Sequence, residues 1–187
     1  MYPFPELLTP RTRIGLATLE EAQMLQRYRV DNRTHLAPWE PERTPGYYTL
    51  EACEHSIADS RDAALTDRAY PLLVFDPSRS RVLASFTFSN VMRGVFQAAH
   101  LGYGIDHAHE NQGLMFEALE AGMGFAFGSL ELHRVMANYM PHNRRSERLL
   151  GRLGFEREGY ARSYLRIAGV WRDHVLTARL HPDHAAA

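Results

Sequence analysis

The sequence predicts a mixed α/β architecture of the α+β class, folded as a single domain over residues 1–187. Three observations lead to this prediction. Segments with the alternating pattern of strands and segments with the helical period are interspersed without strict alternation. The length of 187 residues suits one compact domain. The chain contains no internal repeat and no low-complexity segment.

The first half of the chain carries clear start signals for helices. Thr18-Leu19-Glu20-Glu21 has the Ser/Thr-x-x-Glu form of a capping box, and Thr49 is suited to cap a second helix. Three prolines and Gly46 predict an irregular loop between the two helices. The predicted elements are a strand over 11–17, a helix over 19–30, a loop over 36–48, a helix from Thr49 to Leu65, and strands over 70–75 and 81–90.

The second half combines strands with one long apolar helix. Gly102 and Gly104 lie inside a predicted strand, where glycine often marks a close approach to the backbone. Asn143 is the predicted cap of a later helix, and Gly154 is its predicted stop. The predicted elements are a strand over 98–105, helices over 112–127 and 143–154, and strands over 133–139, 155–167 and 170–180.

The turn Glu110-Asn111-Gln112-Gly113-Leu114-Met115 lies where the long apolar helix begins. The first turn of a helix has unpaired N–H groups and partial positive charge, so this position favours a phosphate-bearing ligand. Glu110 places a negative charge where that anion would dock. Between residues 134 and 172, nine arginines face three glutamates, which indicates either an anion-facing side or a solvated surface.

The composition argues against several classes of protein. The formal charge of -1 disfavours direct binding of nucleic acid, and no segment has the roughly 20 uninterrupted apolar residues of a membrane span. The N-terminus shows neither a basic nor an apolar signal region. The single cysteine, Cys53, cannot form an internal disulfide, so we expect a reducing, cytoplasmic environment.

Several runs of sequence resemble the RimJ-type ribosomal-protein alanine N-acetyltransferases of the GNAT acetyltransferase superfamily, and the similarity covers nearly the whole chain. The resemblance implies a central, mostly antiparallel sheet with about four flanking helices, splayed open between the strands at 101–106 and 133–139. The runs are Phe88-Ser89-Asn90-Val91, Leu101-Gly102-Tyr103, Gly113-Leu114-Met115-Phe116-Glu117-Ala118-Leu119, residues 133–143 from His133 to Asn143, Trp171-Arg172-Asp173-His174-Val175-Leu176, and the loop Pro38-Trp39-Glu40-Pro41.

By the same resemblance, acetyl-CoA would lie in the splayed region, with no metal required. Its pantetheine would pair with strand backbone, its pyrophosphate would reach the turn before the long helix, and Asn143 would orient the cofactor or a water. The family turn has the pattern Gln/Arg-x-x-Gly-x-Gly/Ala, in which this chain has Glu110 at the first position, Gly113 at the fourth and Met115 at the sixth, where similar family members also carry a large residue. Asn111 and Gln112 stand where family members commonly carry a glycine and a basic residue. The implied cofactor-binding residues are Tyr103, Gly104, Ile105, Gln112, Gly113, Leu114, Met115 and Asn143.

The resemblance also implies the chemistry. An acceptor amine would attack the thioester directly, and Ser146 of Asn143-Arg144-Arg145-Ser146 would protonate the departing thiolate. A plain N-cap at Asn143 with Ser146 as its capping partner is the structural alternative. Glu40 would hold the acceptor ammonium or receive its proton through water. Trp39 would wall the acceptor pocket, and Asn90 and Tyr139 would contact the acceptor peptide; each of these residues also has an ordinary structural reading.

The implied acceptor is the α-amine of an N-terminal alanine on a small-subunit ribosomal protein. A small-amine or antibiotic acetyltransferase and an inactive binding or regulatory protein with the same fold remain as alternatives. His107, His109 and Glu110 also suggest a metal site, but the other histidines show no second cluster with zinc spacing, and three ligands are usually needed.

Overall fold

The computed structural model describes residues 6–184, and helices and strands are interspersed along them without strict alternation. This arrangement confirms the predicted α+β class, with four helices of nine or more residues and the single-turn α2. The strands are β1 (Leu7–Leu8), β2 (Arg13–Gly15), β3 (Tyr70–Phe75), β4 (Val82–Met92), β5 (Ala98–Ile105), β6 (Arg134–Tyr139), β7 (Glu156–Ile167) and β8 (Val170–Leu180). The helices are α1 (Ala22–Asp31), α2 (Arg33–Leu36), α3 (Leu50–Leu65), α4 (Leu114–Gly128) and α5 (Arg144–Arg152).

All eight strands belong to one sheet with the order β1-β2-β3-β4-β5-β6-β8-β7. Neighbouring strands run antiparallel except β5 and β6, which are parallel. The sheet is therefore mixed and mostly antiparallel, as the resemblance implied.

The parallel pair separates after its first residues. β5 and β6 are paired only where Ala98, Ala99 and His100 face Arg134, Val135 and Met136. Beyond this point β5 continues its pairing with β4 as far as Ile105, and β6 continues with β8 as far as Tyr139. The two strands thus diverge, which confirms the predicted splay and leaves strand backbone groups facing a cleft.

Helices cover both faces of the sheet next to this splay. α4 packs Leu119 and Met123 into a core with Leu72, Val74 and Phe86. α1 and α3 pack Leu25 and Ile57 against Leu73 and Phe75, which point to the opposite face because side chains alternate along a strand. Within residues 6–184, none of the helices combines the length and the apolar character needed to cross a bilayer.

Several predicted boundaries shift for local reasons. The first strand is limited to Arg13–Gly15, where it pairs with β3, and the two-residue β1 was too short to predict. Leu19–Glu21 form a 3-10 turn ahead of α1, in which the Thr18 N–H donates to Glu21 Oε2 over 2.7 Å. α4 begins at Leu114 because Gly113 has a left-handed φ of 75°.

Candidate functional site

A cleft of about 360 Å³ lies in the splay between β5 and β6, and we call it the splay cleft. Its walls are formed by the end of β5, the turn before α4, the exposed face of α5, and the end of α2 with Trp39. Seven of the eight predicted cofactor residues line it: Tyr103, Gly104, Ile105, Gly113, Leu114, Met115 and Asn143. Gln112 is not in this lining; its side-chain amide donates to the Ala108 carbonyl over 2.9 Å.

The turn before α4 keeps its backbone donors open. Gly113 is the N-cap, and no side-chain cap accepts from the first turn, whose N–H groups have no acceptor within the helix. Asn111 also has a left-handed φ, of 59°. Arg11 braces the turn from outside, since Nη1 donates to the Gln112 carbonyl over 2.9 Å and Nε pairs with Glu117 over 2.7 Å. These features suit an anionic ligand.

Glu110 does not present a bare negative charge to the splay cleft. Its Oε1 lies 2.5 Å from Arg145 Nη1 and 3.5 Å from His35 Nε2. The guanidinium offsets the carboxylate in its immediate neighbourhood, so the difficulty raised by the sequence is largely removed. Because Arg145 belongs to α5, the pair also links the two walls of the cleft.

Arginines on α5 add positive charge to the same cleft. Arg145, Arg148 and Arg152 all line it, at the spacing that places residues on one helical face. Arg152 packs its guanidinium 4.3 Å above the centre of the Phe116 ring, in the first turn of α4. The arginine excess of this region is visible in the sequence, but no sequence signal assigns these three arginines to the site.

Tyr103 and Ser146 meet across the cleft. The Tyr103 hydroxyl and Ser146 Oγ are 2.5 Å apart, joining β5 to the first turn of α5. Burial raises the pKa of Tyr103 to about 12, and the Ser146 contact offsets only part of this effect. The phenol therefore stays protonated at neutral pH. Asn143 caps α5, because its Oδ1 accepts from the Ser146 N–H over 3.1 Å, so the structural alternative for Asn143 is present in the fold.

A second cavity, of about 390 Å³, lies on the other side of β5, and we call it the α1 cavity. It is enclosed by α1, α2, α3, the segment 39–48 and the neighbouring strands. Leu36, Trp39, Tyr103 and Gly104 line both this cavity and the splay cleft. The two spaces therefore meet at β5, which allows one ligand from each side to approach the same point.

Of the four residues predicted to bind the acceptor, two line the spaces described above and two do not. Glu40 lines the α1 cavity, where its Oε2 lies 3.3 Å from Arg43 Nε. Trp39 stands at the junction of the two spaces and packs on His142, with ring centres 5.6 Å apart. Asn90, which is exposed, and the buried Tyr139 do not line either space, so their contact with an acceptor stays a prediction.

Two further sequence hypotheses concern cysteine and metal. Cys53 is buried beneath α1, where it accepts from Arg29 Nη1 over 3.5 Å, and it lines neither space. In the described part of the chain, no three or more histidine, cysteine, aspartate or glutamate side chains are grouped as a metal site. His109 instead lies 3.3 Å from the buried Asp106, and Glu110 pairs with Arg145.

Comparison with known proteins agrees with this arrangement. Residues 11–156 match the model of the acetyltransferase (GNAT) domain family. The chain is 42% identical over 181 residues to the ribosomal protein uS5-alanine N-acetyltransferase of Escherichia coli (strain K12), covering 97% of this chain and 93% of that protein.

Two solved structures are similar over nearly the whole chain. The ribosomal-protein-S5-alanine acetyltransferase from Vibrio fischeri has a TM-score of 0.91 and 32% identity, covering 96% of this chain and 98% of that one. Mycobacterium smegmatis RimJ, solved in complex with CoA-disulfide, has a TM-score of 0.86 and 26% identity, covering 94% and 84%. The family match, the sequence identity and the splayed sheet together establish that this chain belongs to the GNAT acetyltransferase family.

Proposed function

We propose that this protein transfers the acetyl group of acetyl-CoA to the α-amine of an N-terminal alanine, on ribosomal protein uS5. The observation that carries the proposal is the 42% identity to the uS5-alanine enzyme, which extends over 97% of the chain and so includes the acceptor side as well as the cofactor side. The junction of the splay cleft with the α1 cavity supports a direct reaction between two bound substrates.

The splay cleft fits the chemistry of CoA. Open N–H groups at the start of α4 suit the pyrophosphate. From Tyr103 to Ile105, β5 pairs with β4 on one edge but not with β6 on the other, and this free edge suits an extended, amide-bearing arm. Arg148 and Arg152 supply further positive charge for phosphate groups along the face of α5. We infer that these residues hold the cofactor together with Gly113, Leu114, Met115 and Asn143.

Acetyl-CoA supplies an acyl group activated as a thioester. The acceptor nitrogen forms the new C–N bond while the C–S bond breaks, so the nitrogen must lose a proton and the sulfur benefits from a donor. Ser146 provides that donor at the splay cleft. Either hydroxyl of the Tyr103–Ser146 pair can donate to the other. We infer that the neutral Tyr103 phenol donates to Ser146 Oγ, which leaves the Ser146 proton free to point at the departing sulfur.

Among residues 6–184, no carboxylate that lines the α1 cavity is free of an ion pair. Glu40, the carboxylate that lines the α1 cavity, is paired with Arg43. An α-amine has a pKa of about 8, so a useful fraction is already neutral near pH 7. We infer that water accepts the proton of the acceptor amine. The Glu40 carboxylate then stabilises the positive charge that develops on the attacking nitrogen.

The decisive assay offers the protein acetyl-CoA and a uS5 N-terminal peptide that begins with alanine. Fragmentation mass spectrometry should locate a single acetyl group on the α-amine. A matched peptide with a blocked α-amine and a free lysine should remain unmodified. Acetylation of lysine or of small amines alone would contradict the uS5 assignment, and absence of acetyl-CoA binding by calorimetry would contradict any role in acetyl transfer.

The proposed function implies a cytoplasmic location. Ribosomal protein N-termini and acetyl-CoA meet in the cytoplasm, and the unpaired Cys53 agrees with a reducing compartment. The acceptor is a polypeptide N-terminus, so we propose neither a direct nucleic-acid contact nor a membrane partner.

A further inference from the structure

The hydroxyl of Tyr28 is buried without a hydrogen-bond partner in residues 6–184. Tyr28 lies on α1, is 6% exposed, and lines the α1 cavity. Burial raises the pKa of this phenol; the nearby Ser85 hydroxyl partly opposes the effect, but it does not meet the phenol oxygen with hydrogen-bonding geometry. Buried hydroxyls are almost always hydrogen-bonded, so an unpartnered one beside a cavity indicates a missing ligand group.

The hydroxyl points at the junction of the two spaces. A Cβ atom built on Gly104 would lie 3.6 Å from Tyr28 Oη, and Gly104 lines both the α1 cavity and the splay cleft. The other nearest group to that position is the Leu36 side chain, at 3.4 Å. The phenol oxygen is thus the polar group that faces β5 from the α1 side, beside the backbone where the acetyl donor would lie.

Several other polar groups around this cavity already have partners. Asn32 donates to the Tyr28 carbonyl over 3.0 Å and accepts from the His107 N–H over 2.9 Å. Arg29 donates to Ser56 Oγ over 2.8 Å, and Glu40 pairs with Arg43. A ligand that enters the α1 cavity would therefore find an unused hydrogen-bonding group at Tyr28.

We propose that Tyr28 binds the acceptor amine: its phenol oxygen accepts a hydrogen bond from the attacking N–H, which turns the nitrogen lone pair towards the splay cleft. The Leu36 side chain beside it supplies an apolar surface, which suits the methyl group of an alanine better than a charged side chain. This inference rests on the proposed acetyl transfer and names the residue that orients its nucleophile.

The test compares Tyr28→Phe with Tyr70→Phe. Tyr70 is a suitable control because it is also buried but lines neither the α1 cavity nor the splay cleft. Its hydroxyl donates to Asp67 over 2.7 Å. Tyr28→Phe should lower kcat/KM for the alanine peptide roughly tenfold, the effect of one lost hydrogen bond, and should weaken peptide binding to the CoA-loaded protein. Its Kd for CoA should be unchanged and its Tm equal to or above that of the original protein.

The control should show the opposite pattern, with a lower Tm and an unchanged kcat/KM. Unchanged peptide binding and turnover in Tyr28→Phe would overturn the inference, as would a fall in activity accompanied by a lower Tm and weaker CoA binding. If the original protein acetylates small amines but not the peptide, the uS5 assignment fails. The role of Tyr28 is then decided by measuring kcat/KM of Tyr28→Phe with the small amine as acceptor.

Discussion

Glu110 and Arg145 form an ion pair across the mouth of the splay cleft, with 2.5 Å between Oε1 and Nη1. Arg145 is mostly exposed, and Glu110 is also within 3.5 Å of His35. A partly solvated pair of this kind contributes little to stability, so its main effect is on the charge that a cofactor meets.

Glu110→Gln should therefore tighten CoA binding modestly, by roughly twofold to fivefold, because Arg145 becomes free to face phosphate. Arg148→Gln should weaken binding by a similar factor, since Arg148 lines the same cleft and has no ion pair within 4 Å in the described chain. Calorimetry at low and high salt measures both effects, which should shrink as salt rises. Weaker binding by Glu110→Gln would show that the pair instead shapes the turn.

The Tyr103–Ser146 contact predicts non-additive losses of turnover. Ser146→Ala removes the proposed proton donor and should lower kcat by roughly 10- to 100-fold, whereas Tyr103→Phe, which keeps the ring, should lower it less. The double variant should be little slower than Ser146→Ala alone, because both changes act on one hydrogen-bonded unit. Steady-state kinetics with saturating acetyl-CoA tests this, and fully additive losses would mean that the two hydroxyls act separately.

Asp106 ends β5 and supports the turn that leads to α4. Burial raises the pKa of this carboxyl, but the Ala108 N–H at 3.0 Å and Arg81 at 2.6 Å outweigh burial and lower it. Because the pKa of Asp106 is lower in the folded than in the unfolded protein, the ionised carboxylate stabilises the fold at pH values above the unfolded pKa of about 3.9. This stabilisation is lost as the pH falls through the pKa of the folded state.

Asp106→Asn should accordingly reduce the free energy of unfolding by about 1–3 kcal/mol at pH 7. The difference from the original protein should narrow as the pH falls below about 4, because the unfolded aspartate is protonated there first and the folded one follows at its lower pKa. Urea unfolding at both pH values measures it. A difference that stays constant with pH would indicate that the loss arises from packing and not from the carboxylate charge.

Local signals in the sequence were sufficient for much of the fold. Thr49 caps α3 through Ala52, and Asn143 caps α5 through Ser146, because capping depends on residues only three apart. The partners that define the site are distant: Glu110 and Arg145 are 35 residues apart, and Tyr103 and Ser146 are 43 apart. Such contacts depend on how the sheet splays, which no local pattern of charge or hydrophobicity specifies.

The turn before α4 yields a prediction about backbone conformation. Gly113 and Asn111 both have left-handed φ values, of 75° and 59°, which glycine adopts without strain and other residues adopt at a cost of roughly 1–2 kcal/mol. Gly113→Ala should therefore lower stability by about that amount and weaken CoA binding, because the first-turn N–H groups shift. The added Cβ itself is not obstructed, since Arg11 Nη2 lies 3.7 Å from it.

Asn111→Gly is the matched variant, which places a glycine at the other left-handed position and removes the strain there. It should leave the Tm equal or slightly higher and should not weaken CoA binding, although the greater flexibility of glycine in the unfolded chain offsets part of the gain. Thermal unfolding and calorimetry on both variants test the argument together. Equal losses in the two would show that the Asn111 side chain, and not the left-handed backbone, holds the turn in its binding conformation.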